Sequence, residues 1–430
     1  MINNVNTVNH QGFTKLYLLL LFVFCIHLAG FFSWNENVLI TRILKLCMRT
    51  SMTFLLLGIY YRLKIKGLVP SFRYENSFVL IFYGLYLLLG LFSFLWSSDP
   101  LYSALQWFMD IQVLLFAFYL MQILIIIKAY YPQNKINISR LISDSSFFIL
   151  LIFIVGKFLL PSTFYRMTHG GELARLGGWM MNPNELGMLC AVGVSCSLYN
   201  MITFKKYIFS LCKICILIYA LFLTGSRSSL IGLILIILFY ILTSKQRILK
   251  TISITILVIG IPFIVQYLFL NQGGWEEIFS LTGRIPFWNA LITEGLPKEP
   301  IWGYGFMRIA YEDSFQGVHT YAGQMTHNTF LQVLMNLGLV GFFIVLLQLT
   351  FTIRAFYHLK EKKEKLMLMG LSIPILINSF TEFGIFGENN FGILFYYLIL
   401  FSLCIKYNPK LTLKEKLVEE RHFPSRTILA

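Results

Sequence analysis

Charge is what this chain has least of. Only 13% of its 430 residues are Asp, Glu, Lys or Arg, about half the share of an ordinary soluble domain. Acid is the scarcer sign, 20 residues against 35 basic ones, for a formal charge of +15. That excludes a compact soluble enzyme. Histidine is sparse too, at seven residues. None stands in a His-Glu-x-x-His or His-x3-His spacing or in a Cys/His cluster, so a structural or catalytic zinc has no support. Cys212-Lys-Ile-Cys215 has a metal-like spacing, but it has no second pair and reads as two packed cysteines. Internal repeats and low-complexity segments are missing. So is a small-residue cleavage site after Lys15, so the first apolar run reads as a retained span.

Apolar residues make up 57% of the chain and aromatics 17%, with a mean hydropathy of +0.70. A spanning helix needs about 20 apolar residues. Windows of that kind lie near 15–33, 38–61, 77–96, 107–127, 143–161, 184–201, 207–223, 226–243, 250–270, 327–352, 366–382 and 390–406. The expected fold is an all-α polytopic membrane protein of about 12 transmembrane helices. Residues 1–270 hold helices 1–9, 271–326 a large loop, 327–406 helices 10–12, and 407–430 a tail. Alternate connections are basic, from Arg62–Arg73 through Lys128, Lys205, Lys245 and Lys360–Lys365 to the tail. The positive-inside rule puts these connections and both termini in the cytoplasm. The loop 271–326 then faces outward. Within it, LTGRIPFWNALITEGLP reads as a short amphipathic helix opened by Pro286 and stopped by Gly295 and Pro297. Ile285, Trp288, Leu291 and Ile292 would share its apolar face.

Cations on the outward side run against the rule and so carry information. Arg227, in LTGSRSSLIGL, follows a Gly225 stop and a Ser226 cap, in the first turn of a helix. Arg284 opens the short loop helix. A guanidinium at a helix N-terminus opposes the helix dipole unless an anion joins it, and a phosphate or diphosphate fits. The alternative is that each snorkels to headgroups or pairs with Glu276 or Glu312. Arg42, Lys45 and Arg49 share one face of the second span. They are a guide for anionic headgroups or an interfacial turn. Arg175 is a candidate for lining the same site. Asn182, Pro183 and Glu185 read as a helix cap, and Asp99 as a turn. His10, His27, His358 and His422 read as neutral, while His169 and His319 are weaker loop candidates.

His327, in THNTFLQVLMNLGLVGF, opens a span. At 100° per residue, Gly338 and Gly341 would lie on its face. Small residues there let another element pack closely, and the ring would then point inward. The helix N-terminus favours the neutral imidazole, the form a general base needs.

His327-Asn328, nine residues, then Gly338-Leu339-Val340-Gly341 resembles the His-Asn-x9-Gly-x-x-Gly signature of the O-antigen ligase family, which also holds polysaccharide polymerases. The WSSDP turn, R-x-x-G…NPN-x-x-G from Arg175, TGSRSS at Arg227, TGR…W at Arg284 and Trp288, and P-x-x-G-x-G at Pro300–Gly305 follow the same pattern in order. The resemblance implies a bundle like the class C membrane glycosyltransferases, with a large periplasmic loop. It implies metal-independent, inverting transfer of a glycan from an undecaprenyl diphosphate carrier, without a cofactor, in the bacterial inner membrane. The acceptor would be lipid A-core or a lipid-linked glycan. On this chain His327 would be the base, Arg227 and Arg284 would hold the diphosphate, and Arg175, Asn328, Trp288 and Arg42 are candidates for lining the site. Gly338 and Gly341 would pack the helix. The competing expectations are a lipid-linked oligosaccharide flippase, which should show two similar halves, and a metal-dependent transferase, for which the first outer loop offers only Glu36.

Overall fold

The computed structural model describes residues 10–130, 136–168, 173–205, 207–244, 284–306, 326–382, 384–387 and 389–408, with scattered residues between 250 and 266. Most of the expected span 250–270, loop residues 271–283 and 307–325, and the tail from 409 lie outside them. So do Glu276, Glu312, His169, His319 and His422.

The described chain is a polytopic bundle of helices. Seven helices are long and apolar enough to cross a membrane by length and composition, and three shorter apolar ones accompany them. In order they are α1 (His10–Ala29), α2 (Val38–Ile65), α3 (Ser77–Phe92), α4 (Pro100–Tyr130), α5 (Ile138–Leu159), a single turn α6 (Pro161–Phe164), α7 (Pro183–Phe204), α8 (Tyr207–Thr224), α9 (Arg227–Thr243), α10 (Arg284–Ala290), α11 (Thr329–His358), α12 (Lys362–Thr381) and α13 (Phe391–Cys404). Two short antiparallel pairs add the strands: β1 (Phe72–Tyr74) with β4 (Ile405–Tyr407), and β2 (Tyr165–Thr168) with β3 (Leu173–Leu176).

Short polar side chains set where these helices begin. A helix in an apolar medium must satisfy its first N–H groups locally. Asn37 accepts from the Leu39 and Ile40 N–H groups, Asn137 from Arg140, Asn182 from Asn184, Asn328 from Phe330 and Leu331, and Asn390 from Gly392. Asp99 does the same for Tyr102, and Ser226 caps α9. Helix α13 is apolar on every side and every residue in it is buried, as expected of a helix at the centre of a bundle. Helix α8 is peripheral. Its Cys212 and Cys215 are exposed on the bundle surface, because the spacing that suggested packing falls on the face carrying Ile208 and Leu211.

Helix α12 orients the bundle's two ends. Its first turn holds Glu364, bonded to Lys406 at 2.8 Å beside the β1–β4 pair. Its last turn ends at Glu382. The starts of α7, α9, α10 and α11 gather at the Glu382 end.

Helix α11 is not continuous. Gly338 has φ 61° and ψ −162°, and the helix breaks there. The segment Pro300–Gly305 fills the break. The Leu339 N–H donates to the Pro300 carbonyl at 2.9 Å, and the Tyr304 and Gly305 N–H groups donate to Met335 and Asn336 at 3.0 and 2.9 Å. These bonds replace the lost helical ones, as a break inside a membrane requires. A Cβ on Gly338 would lie 2.2 Å from the Ile301 carbonyl oxygen, so glycine is demanded by both φ and space. On its other side the segment is held by the WSSDP turn: the Ser98 N–H donates to the Tyr304 carbonyl at 3.1 Å, and Trp96 Nε1 to Trp302 at 3.2 Å. The expected single helical face shared by His327, Gly338 and Gly341 is therefore corrected. Gly338 seats the Pro300–Gly305 strap and is not part of a helix–helix seam.

The loop helix differs from expectation as well. Leu291–Gly295 forms a wider π turn after α10. Phe287 and Leu291 face inward, against Tyr304, Leu331 and Met335, while Ile285 and Ile292 stay exposed. The wider turn shifts the register that a uniform 3.6-residue period assumes.

Candidate functional site

His327 lies just before α11, outside it. Its φ of 51° is left-handed, a conformation costing a non-glycine residue about 1–2 kcal/mol. Its neighbours maintain it. Thr326 Oγ1 donates to the Asn328 carbonyl at 2.8 Å, and Trp288 Nε1 donates to the Thr326 carbonyl at 2.6 Å. Asn328 caps α11 and donates Nδ2 to the Phe380 carbonyl at 3.3 Å. Trp288 and Asn328 thus hold the turn that presents His327. The ring is 17% exposed.

The ring's partner is Glu382, the first residue after α12. The carboxylate meets His327 Nδ1 at 2.7 Å, Arg284 Nη2 at 2.6 Å and Asn184 Nδ2 at 2.7 Å. Arg284 also donates to the Thr381 carbonyl. Arg284 is therefore paired with Glu382. Glu382 is only 3% exposed. Burial alone would push its carboxyl up. The His327 ring and the Arg284 guanidinium outweigh that and hold it at about 2.

Arg175 extends the cluster. It sits on β3, opposite Arg166 in the ladder. Its Nη2 donates to Asn184 Oδ1 at 2.6 Å and its Nε to the Thr224 carbonyl at 2.7 Å, at the end of α8. Burial pulls its pKa down to about 10; Glu382 raises it, and nearby Arg227, Arg166 and Arg284 lower it. Three further guanidinium groups, of Arg227, Arg166 and Arg284, are thus within electrostatic reach of Arg175, as is the buried Glu382 carboxylate. Arg227 occupies the first turn of α9, after the Ser226 cap. Such a concentration of forked donors suits an oligophosphate. Arg42 is not in this cluster. It lines a neighbouring cavity with Tyr102. Among the described residues, no three His, Cys, Asp or Glu side chains converge as a metal site would need.

Residues 214–346 match the family model described as O-antigen ligase. That stretch is under a third of the chain. It contains Arg227, Arg284 and His327, but neither Arg175 nor Glu382. The chain is also similar to the ComP-specific O-oligosaccharyltransferase of Acinetobacter baylyi, at 27% identity over 246 residues. The matched stretch is 54% of this chain and 43% of that protein, so the likeness spans less than half of the relative's length.

Glu382 was invisible to sequence reading. It is a lone acid at the edge of an apolar window, in NSFTEFG, and looks like a boundary residue. A carboxylate in an acid-poor chain, just past a span that ends at the cationic side, was the available signal.

Proposed function

We propose that the chain transfers a glycan from a polyprenyl diphosphate carrier to an acceptor hydroxyl at the periplasmic face of the bacterial inner membrane. The observation that carries this reading is the Glu382 carboxylate joining the His327 ring to the Arg284 guanidinium. A carboxylate on Nδ1 selects the tautomer with its proton there, which puts the lone pair on Nε2. Nε2 takes the proton of the acceptor hydroxyl, and the acceptor oxygen bonds to the anomeric carbon of the donor sugar. The bond from that carbon to the diphosphate oxygen breaks, with inversion at carbon. The leaving polyprenyl diphosphate carries its charge onto Arg227, Arg284 and Arg175. No acid is then needed to protonate the leaving group, and no metal to neutralise it.

A second feature supports a lipid-linked donor. An apolar groove of about 560 Å³ runs between α11, α12 and α13. It starts at Phe330 and Phe380, beside the Asn328 cap, and reaches Tyr357 and Lys365 at the far end of the bundle. Almost wholly apolar walls of that length suit a polyprenyl chain whose diphosphate sits at the arginines.

The test is reconstitution of the full chain in nanodiscs with a polyprenyl-diphosphate glycan labelled in its sugar. The expected result is label on the acceptor and stoichiometric free polyprenyl diphosphate. Movement of the intact lipid-linked glycan across a vesicle bilayer without cleavage would replace this reading with a flippase.

A further inference from the structure

The end of the bundle opposite Glu382 holds a charged cluster that the candidate site does not use. Asp144 lies in the second turn of α5 and is buried. Tyr17 of α1 and Lys213 of α8 both donate to its carboxylate, and Arg140, one turn back on α5, stands 3.7 Å from it. The Arg140 guanidinium also lies 4.5 Å over the Tyr17 ring. One carboxylate thus ties three helices. A lone buried acid would be costly there, and the two cations and the hydroxyl offset that cost.

The cations outnumber the acid. Both line a recess of about 260 Å³ between the start of α5, the last turns of α7 and the first turns of α8. Asn200 and Ser210 add an amide and a hydroxyl to its wall, and Phe204 and Phe209 add apolar sides. The Ser139 hydroxyl donates to Asn200 Oδ1 at 2.7 Å, so the amide NH2 is the group left to act toward the recess as a donor. Donor capacity remains on both cations as well. Asp144 meets Arg140 through Nε, which leaves the forked end of the guanidinium. Lys213 keeps ammonium hydrogens beyond the one given to Asp144. Among the described residues, no acid other than Asp144 pairs with either cation.

The setting selects the ligand. Helix α7 reaches this recess from Asn184, which bonds Glu382, and α8 runs from it to Thr224, whose carbonyl holds Arg175. The recess is therefore at the membrane boundary far from the candidate site. Beside it on α8, Ile208 and Phe209 are 77% and 75% exposed, as expected of side chains that face acyl chains. A ligand with an anionic head and an apolar body fits both parts. The Arg140 fork and the Lys213 ammonium suit a phosphodiester. A headgroup that also carries an ammonium gains less, because Tyr17, Lys213 and Arg140 already occupy the Asp144 carboxylate.

We propose that this recess holds the headgroup of an anionic phospholipid, in the leaflet opposite the candidate site. Basic pockets between spanning helices take such headgroups. The lipid braces the far ends of α7 and α8, the two helices whose other ends bond Arg175. The proposal stands apart from the transferase reading.

A benzophenone amino acid at position 209 tests it, with a second at position 222 as control. Phe222 is exposed near the other end of the same helix. The full chain is reconstituted in vesicles of phosphatidylethanolamine with a minority of phosphatidylglycerol, irradiated, and the lipid adducts are identified by mass. The expected result at position 209 is phosphatidylglycerol enriched at least about fivefold over its share of the bilayer, and no enrichment at position 222. Lys213→Gln should return the adducts at position 209 to the bulk composition, while Lys213→Arg keeps the enrichment. Should Lys213→Gln fail to fold, the two positions in the otherwise wild-type chain decide. Bulk composition at position 209, equal enrichment at both positions, or enrichment that a folded Lys213→Gln chain retains would overturn the proposal.

Discussion

Replacing Glu382 by Gln changes one atom and removes one charge from the centre of the site. Three donors converge on the carboxylate within 2.7 Å: His327, Arg284 and Asn184. Gln has one oxygen where Glu has two, and its other terminus is itself a donor. Oε1 already serves Arg284 and Asn184, so the amide NH2 falls against His327 Nδ1. The ring then turns to the tautomer with its proton on Nε2, and the base is lost. A positioned general base contributes about 10²–10⁴-fold. Glu382→Gln should therefore lower kcat by about 10²–10⁴-fold, or about 2.7–5.4 kcal/mol at 1.36 kcal/mol per decade. The assay is single-turnover transfer by the purified chain in nanodiscs, with thermal unfolding measured alongside. Glu382→Asp keeps the charge and should recover part of the rate, which a merely structural role would not predict. A Gln variant that folds and works within about threefold of wild type would refute the positioning role.

Further expectations follow from the same geometry. Arg227→Lys keeps the charge but loses the two-pronged guanidinium, so turnover should fall at least about tenfold with normal membrane insertion, read in the same transfer assay. Gly338→Ala forces a left-handed alanine against the Ile301 carbonyl. Strain and overpacking together cost about 2–5 kcal/mol, and a lower unfolding temperature with poor membrane yield should result. Leu376→Trp fills the apolar groove, so it should raise KM for a full-length polyprenyl donor and leave a short-chain donor unaffected.

Much of the fold was legible because helix ends in a membrane are written locally. Asn182-Pro183 and Ser226 each mark a start that the structure uses, and the turn read at Asp99 also opens α4. The arginines at helix starts were legible for the same reason. What the sequence did not reveal depends on partners far along the chain. Glu382 lies 55 residues from His327, and no periodicity links a span's last residue to another span's first. The break at Gly338 is hidden in the same way, since the strap that fills it is Pro300–Gly305. A helical wheel drawn through Thr326–Phe342 treats that break as continuous helix. It also overlooks Asn328 as the cap, although Asn before Thr-Phe-Leu was a readable stop to any helix reaching back to His327. The conclusion that the ring faces the bundle survives on different grounds, its bond to a buried carboxylate.

The most direct measurement is single-turnover glycan transfer by His327→Ala beside the wild type, with polyprenyl-diphosphate donor binding measured on the same samples. The account predicts that donor binding is retained within a few-fold while the transfer rate falls at least about 10²-fold. A folded His327→Ala chain that transfers glycan at the wild-type rate would contradict it.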